Sequence, residues 1–154
     1  MLLIRPATLD DLPLMMDLFN QLREDEGVAA EQVADQAELT AQMTQYLQLP
    51  SGDCVLFYAP RHDDQTQHEV VGYAMYFVNE TDVLLKHFFV ARHRRREKMG
   101  KQMMQMLVNE IWSPKAGLWL EVFHANPAGL AFWESLGYET VTRSMQLNRT
   151  KFTG

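Results

Sequence analysis

Residues 84–90, Leu-Leu-Lys-His-Phe-Phe-Val, favour a strand and pass through a short basic segment straight into a helical repeat of Met99, Met103, Leu107 and Ile111. The free backbone N–H groups at a helix N-terminus make an anion site, which the helix dipole reinforces. Here that terminus sits beside Arg95, Arg96, Lys98 and Lys101, with Gly100 allowing close backbone approach. A pyrophosphate is the natural guest. The helix leads to another apolar strand, Leu118–Phe123. Two strands joined through a helix are expected to lie parallel in one sheet.

The remaining pattern fills in the sheet and its cover. Residues 2–5 read as a short strand, followed by helical spacing of Leu9, Leu12, Met15, Met16, Leu18, Phe19 and Leu22, with Asp10 and Asp11 in the first turn. The stretch Glu24-Asp25-Glu26-Gly27 breaks that helix, and a more polar helix is expected over about 31–48. Cys54–Ala59 and Val70–Val78 read as a hairpin about the polar turn Arg61–His68, and Asn79–Asp82 turns into the strand that ends at Val90. After Phe123, a helix over Pro127–Leu136 stops at Gly137, and Tyr138–Leu147 is expected to supply one or two closing strands. A strand meander followed by strand–helix–strand–helix–strand predicts an α/β (α+β) chain with one mixed sheet and packed helices. Residues 1–154 read as a single domain.

Charge narrows the choice of ligand. The net charge of −6 disfavours nucleic-acid binding as the main activity, and the chain lacks the stripe of aromatic and basic residues that grips single strands. Residues 1–60 hold ten acids against two bases, Arg5 and Arg23. Six of the fourteen Lys and Arg residues crowd into 92–101: Arg92, Arg94, Arg95, Arg96, Lys98 and Lys101. One concentrated basic segment on an acidic chain points to a specific anion, with a solvated basic turn as the alternative. No apolar run has the length of a membrane span, and the opening Met1–Pro6 is not a secretory leader. The single cysteine, Cys54, offers neither a disulfide nor a metal cluster, so no metal is expected and a reducing, cytoplasmic location is the simple reading.

Three blocks, in order, carry a family resemblance. Val90–Lys101 resembles the coenzyme A loop of the GNAT N-acetyltransferases, whose pattern is Gln/Arg-x-x-Gly-x-Gly/Ala opening a helix. Asn126–Tyr138 is similar to the Asn…Ala…Phe-Tyr-x-x-x-Gly-Phe/Tyr segment, and Ile4-Arg5-Pro6-Ala7-Thr8-x-x-Asp11 to the usual opening. Val71–Phe77 and Phe88–Val90 look like strands of the diamine (spermidine/spermine) acetyltransferase branch, and Glu26 falls where that branch has a substrate-loop glutamate. The resemblance implies a mostly antiparallel sheet with a splayed parallel strand pair, helices on both faces, a homodimer, and acetyl-CoA as cosubstrate. Its cofactor contacts carry over to Phe88, Val90, Arg95, Arg96, Met99, Gly100 and Lys101, with Asn126 beside the thioester arm. Lys98 stands where the pattern has glycine; either its N–H still donates in a backbone of the same shape and its ammonium adds a phosphate contact, or it strains or narrows the loop and weakens coenzyme A binding.

The expected acid and base positions are altered. Lys86 replaces the strand glutamate of the diamine branch, Leu84 the other familiar carboxylate, and Trp133 the usual tyrosine acid. The remaining catalytic candidates are Glu26, on a loop over the substrate, with a solvated helix end as its alternative, and His124, two residues before Asn126, with a surface histidine as its alternative. Simple alternation puts Leu84, Lys86 and Phe88 on one face and His87 on the other, packed rather than catalytic. Lys86, Trp133 and Glu26 are the expected acceptor-side residues. Lys86 repels a polyamine or pairs with an acid, whereas the acidic first third favours a cationic acceptor. Holding an amine against a thioester supplies much of the rate without an acid. The leading expectation is acetyl transfer by direct attack to a primary amine of a small molecule or peptide. A non-catalytic acyl-CoA-binding or sensor protein on the same fold is the alternative.

Overall fold

The three long apolar stretches become three long strands. In the computed structural model, which describes residues 1–25, 36–49 and 52–153, they are β2 (Gly52–Pro60), β3 (His68–Val78) and β4 (Asp82–Val90). β1 (Leu3–Pro6) and β5 (Gly117–Leu120) form the edges of a five-stranded sheet in the order β1-β2-β3-β4-β5. Every neighbouring pair is antiparallel except β4–β5, which is parallel. The mixed sheet and its parallel pair are as expected.

Helices α1 (Leu12–Asp25) and α2 (Gln36–Gln48) cover one face, packing Met15, Leu18, Phe19, Leu39 and Met43 on Leu56, Tyr73 and Phe89. α3 (Met99–Met106) covers the other through Met99, Met103 and Met104, then widens into a π turn over Leu107–Ile111. α4 (Pro127–Ser135) lies on the same side, with Trp133 against that core. The chain enters α1 through a 3-10 turn, Leu9–Asp11, at which the Asp11 carboxylate accepts the Thr8 N–H at 2.8 Å. Arg5 grips the same carboxylate at 2.7 and 2.9 Å and is the chief reason its pKa falls to about 2.

One irregularity overrides the sequence pattern. The β3–β4 register steps from Met75↔His87 to Tyr76↔Leu85, leaving Lys86 as the extra residue of a β-bulge. The bulge exchanges the faces. Val83 and Leu85 before it share the α3 face with Phe88 and Val90 after it. The expectation that Leu84, Lys86 and Phe88 face one way is therefore corrected: Leu84 and Phe88 lie on opposite faces. His87 goes to the α1 side, stacked on Phe19 at 4.6 Å with its Nδ1 3.3 Å from the Tyr73 hydroxyl.

A second correction concerns the C-terminus. Tyr138–Leu147 forms no strand, and β5 stops at Leu120 rather than Phe123. A strand needs a partner edge as well as a pattern, and this segment does not meet the outer edge of β5 within its own chain. It leaves α4 through Gly137, whose φ of +102° suits glycine, and is exposed from Glu139 to Thr153.

Burial, aided by the charges of Lys86 and Arg23, lowers the His87 pKa to about 4. A histidine depressed below its unfolded value near 6.5 stabilises the fold above that pH and withdraws stability as pH falls toward 4, by at most about 1.4 kcal/mol per unit. Urea unfolding of His87→Gln should therefore show a flatter decline between pH 6.5 and 4 than the unaltered chain. An unchanged slope would show that another group drives it.

Candidate functional site

The parallel pair opens where the bulge lies. β5 pairs with β4 only from Asp82↔Gly117 to Leu85↔Leu120, so the β5-facing side of Lys86–Val90 has no strand partner among the described residues. The opening is the expected splay, with its unpaired main-chain groups free to receive an extended ligand. Lys86 stands exposed at its mouth. Aromatic rings build up beside it: Phe88 lies 6.1 Å from Phe132 and 5.2 Å from Trp133, which lies 5.6 Å from Tyr138. Trp133 therefore serves as packed wall. Burial raises the Tyr138 pKa, and its hydroxyl has no hydrogen-bond partner among the described residues.

The basic loop divides into struts and exposed cations. Arg94 is buried and donates to Pro60 O at 3.1 Å, Glu69 at 2.8 Å and Glu97 at 3.2 Å, fastening the loop to the far end of the β2–β3 hairpin. Arg92 pairs with Glu24 and Asp25 at 2.9 and 3.0 Å. Arg95 also turns back to α1, reaching Asp25 at 2.6 Å while its Nε donates to Val90 O at 3.1 Å and its guanidinium covers Phe89. Partial burial opposes ionisation of Asp25, but Arg95 and Arg92 prevail and hold its carboxyl below the usual range. Arg96, Lys98 and Lys101 are exposed.

The loop backbone bears on the missing glycine. Arg96 and Lys98 have φ of +65° and +59°, both left-handed, and Lys98 is the N-cap of α3. Lys98 thus takes the shape that glycine would favour. Left-handed residues interspersed in such a turn aim N–H groups into an anion-binding concavity, here continuous with the first N–H groups of α3. A Cβ on Gly100 would lie 3.1 Å from Phe132 and 3.4 Å from Val90, so this position joins α3, β4 and α4 at close quarters.

The remaining candidates are less concentrated. The Asn126 side chain caps α4, accepting the Gly129 N–H at 3.0 Å. His124 is exposed in the turn between β5 and α4. Glu26 lies outside the described residues, next to Asp25. Sequence reasoning missed the engagement of Asp25, because no local signal links an acid at the end of α1 to arginines far along the chain. Of two cavities, one of about 260 Å³ lies near Tyr76 and Trp112, and one of about 290 Å³ lies between Leu2 and the inner side of the basic loop at Arg94, Glu97 and Met99. Among the described residues no three His, Cys, Asp or Glu side chains are arranged to hold a metal, and no helix is long and apolar enough to cross a membrane. Burial pushes the Cys54 thiol up to about 12, which makes it a packing residue.

Residues 15–138 match the acetyltransferase (GNAT) family, and the chain belongs to it. No curated protein matches it by sequence. Solved structures share its fold. An acetyltransferase from Thermus thermophilus is 18% identical with a TM-score of 0.72, over 91% of this chain and 88% of that one. A predicted acetyltransferase with acetyl-CoA from Clostridium acetobutylicum is 14% identical with a TM-score of 0.70, over 100% of both chains. An aminoglycoside antibiotic 6'-N-acetyltransferase from Acinetobacter haemolyticus is 17% identical with a TM-score of 0.68, over 95% of this chain and 97% of that one.

Replacing Lys98 by glycine removes the left-handed penalty of about 1–2 kcal/mol while loosening the unfolded chain by about 0.5–1 kcal/mol. Lys98→Gly should accordingly stabilise the protein by about 0.5–1 kcal/mol in chemical unfolding. Lys98→Ala, which keeps a Cβ, should gain nothing. Equal effects of the two would show that the strain lies elsewhere.

Proposed function

We propose that the protein transfers an acetyl group from acetyl-CoA to the primary amine of a small molecule or peptide. The carrying observation is the free β4 edge of Lys86–Val90 running into a left-handed basic turn and the N-terminus of α3. An extended pantetheine fits the edge, and a pyrophosphate fits the turn. Arg96, Lys98 and Lys101 would meet the phosphates, with the N–H groups of Met99 and Gly100 beneath them. Phe88 and Trp133 would wall the thioester end and keep water from it. Membership of the acetyltransferase family and the acetyl-CoA named for one structural relative support this reading.

In direct attack the amine nitrogen bonds to the thioester carbonyl carbon, the C–S bond breaks, and the departing thiolate takes a proton as the nitrogen loses one. The indole N–H of Trp133 is far too weak an acid to protonate a thiolate, so positioning carries most of the rate and the thiolate draws its proton from water. The acids ending α1, Glu24 and Asp25, are held by Arg92 and Arg95 and would take the cationic end of an acceptor only in exchange for those arginines, while Lys86 at the mouth disfavours a second positive charge close to the reacting amine. A monoamine, or an acceptor bearing an anionic group near its amine, satisfies both. Polyamines are the finer alternative within the same chemistry.

Thiol release from acetyl-CoA across diamines, aminoglycosides and peptide amines, run beside calorimetry with coenzyme A, tests the proposal. Binding without thiol release from any amine would favour the acyl-CoA sensor, and absence of binding would remove both readings. Arg96→Ala combined with Lys101→Ala should weaken coenzyme A at least about tenfold and reduce its salt sensitivity, since each charge-assisted contact contributes about 1.5–3 kcal/mol. Lys86→Glu should raise turnover on diamines and add an acidic limb to the pH profile. Diamine turnover left at background would confine the resemblance to that branch to the scaffold.

A further inference from the structure

The end of the sheet away from the splay holds the cavity of about 260 Å³, formed where the start of β2, the β3–β4 turn and the link from α3 to β5 meet. Tyr76, Val83 and Trp112 make its buried floor. Trp112 follows the π turn, which its backbone N–H closes on Leu107 O at 2.8 Å, and its ring meets that of Tyr76 edge-on at 5.3 Å. The indole N–H lies close to the Tyr76 hydroxyl yet completes no hydrogen bond among the described residues, although Trp112 is only 5% exposed. A buried donor without an acceptor is costly, and a π turn within a helix commonly accompanies a functional site. Burial, and then the charge of Asp53, push the Tyr76 pKa up to about 12, so the floor hydroxyl keeps its proton.

The rim is charged. Asp53 stands opposite Tyr76 in the β2–β3 register and shares the face of Val55 and Phe57. Glu80 sits in the β3–β4 turn and Lys115 in the link to β5. All three are exposed, and none enters an ion pair among the described residues. The floor donors, Trp112 N–H and Tyr76 O–H, suit a carboxylate, for which Lys115 supplies the counter-charge. Asp53 and Glu80 suit an ammonium, and two negative charges beside one positive disfavour a ligand that is anionic overall. The volume, below that of pockets for drug-sized ligands, fits a small molecule. We propose that this cavity is a second ligand site, taking a zwitterion of amino-acid size with its carboxylate toward Trp112 and Lys115 and its ammonium toward Asp53 and Glu80.

The site is separate from the opening between β4 and β5. α3 and its π turn run from Met99 at the basic turn to Ile111 beside the cavity, roughly 20 Å at about 1.5 Å per residue. β4 spans the same interval, with Val83 at the cavity and Val90 at the basic turn. An amino acid held here lies beyond reach of a thioester at Trp133, so it is a bound ligand and not an acceptor. Its binding does not depend on acetyl transfer.

The three tryptophans separate the outcomes, since Trp112 reports the cavity, Trp133 the wall beside Phe88 and Trp119 the strand β5. Proton–nitrogen correlation spectra of the full chain, free of coenzyme A, are recorded as the common α-amino acids are added one at a time to millimolar concentration. At least one should move the Trp112 indole N–H downfield and leave Trp133 in place. Its N-acetyl derivative and its amide, each lacking one charge, should bind at least about tenfold more weakly. Lys115→Ala and Glu80→Ala, both at the exposed rim, should each weaken it about fivefold while coenzyme A binding stays unchanged. A Trp112 signal unmoved by every amino acid would overturn the proposal. Movement confined to Trp133 would also overturn it, because the amino acid is then an acceptor candidate and the reading as an acetyltransferase still stands. Equal binding of the blocked derivatives, or binding unaltered in both rim variants, would refute recognition of a zwitterion at this cavity.

Discussion

The extra residue in β4 governs the architecture. A regular nine-residue strand would send Val83, Leu85, His87 and Phe89 to one side throughout. With Lys86 bulged, Val83 and Leu85 instead join Phe88 and Val90 beneath α3, while His87 and Phe89 pack toward α1. The same residue marks the end of parallel pairing, since β5 follows β4 no further than Leu85. A bulge bends its strand and increases local twist. The divergence of β4 from β5 is therefore built into the strand itself, and the aromatic cluster of Phe88, Phe132 and Trp133 packs alongside the space it leaves.

The basic loop shows how similar residues acquire different tasks through their surroundings. Arg94 is enclosed and surrounded by acceptors, which suits a strut and not a ligand contact. Two positions further, Arg96 sits in a left-handed conformation with its side chain in water. Backbone geometry and burial separate them, while composition treats them alike. Keeping lysine at the left-handed N-cap of α3 costs stability, which is consistent with a use for the ammonium at that position.

Much of this was legible in advance. The hairpin, β4, the start of α3 and the stop at Gly137 follow from local patterning, and the family from motifs read in order. The bulge was not, because an inserted residue is defined by cross-strand register rather than by its neighbours in sequence. The Arg95–Asp25 pair, 70 positions apart, was hidden for the same reason. Tyr138–Leu147 displays the converse: β-favouring residues alternate there, yet no strand forms, because a ladder needs a neighbouring edge as well as a local pattern. At the acceptor end the legible signals were substitutions, Lys86 and Trp133, which say what was replaced and not what took over.

The contact between Arg95 and Asp25 is placed so that it could couple two ligands that need never touch. In the free protein each ion answers the other, so a phosphate that recruits Arg95 leaves the Asp25 carboxylate uncompensated at the end of α1. A cation arriving at Asp25 likewise sets Arg95 loose. Thermodynamic reciprocity would make these two statements one: if an anionic ligand drew on Arg95 and a cationic one on Asp25, each would raise the affinity for the other by the same factor. The ion pair would then be a shared counter-ion, surrendered fully only with both ligands present, and a ternary complex would gain over either binary one without a change in the fold.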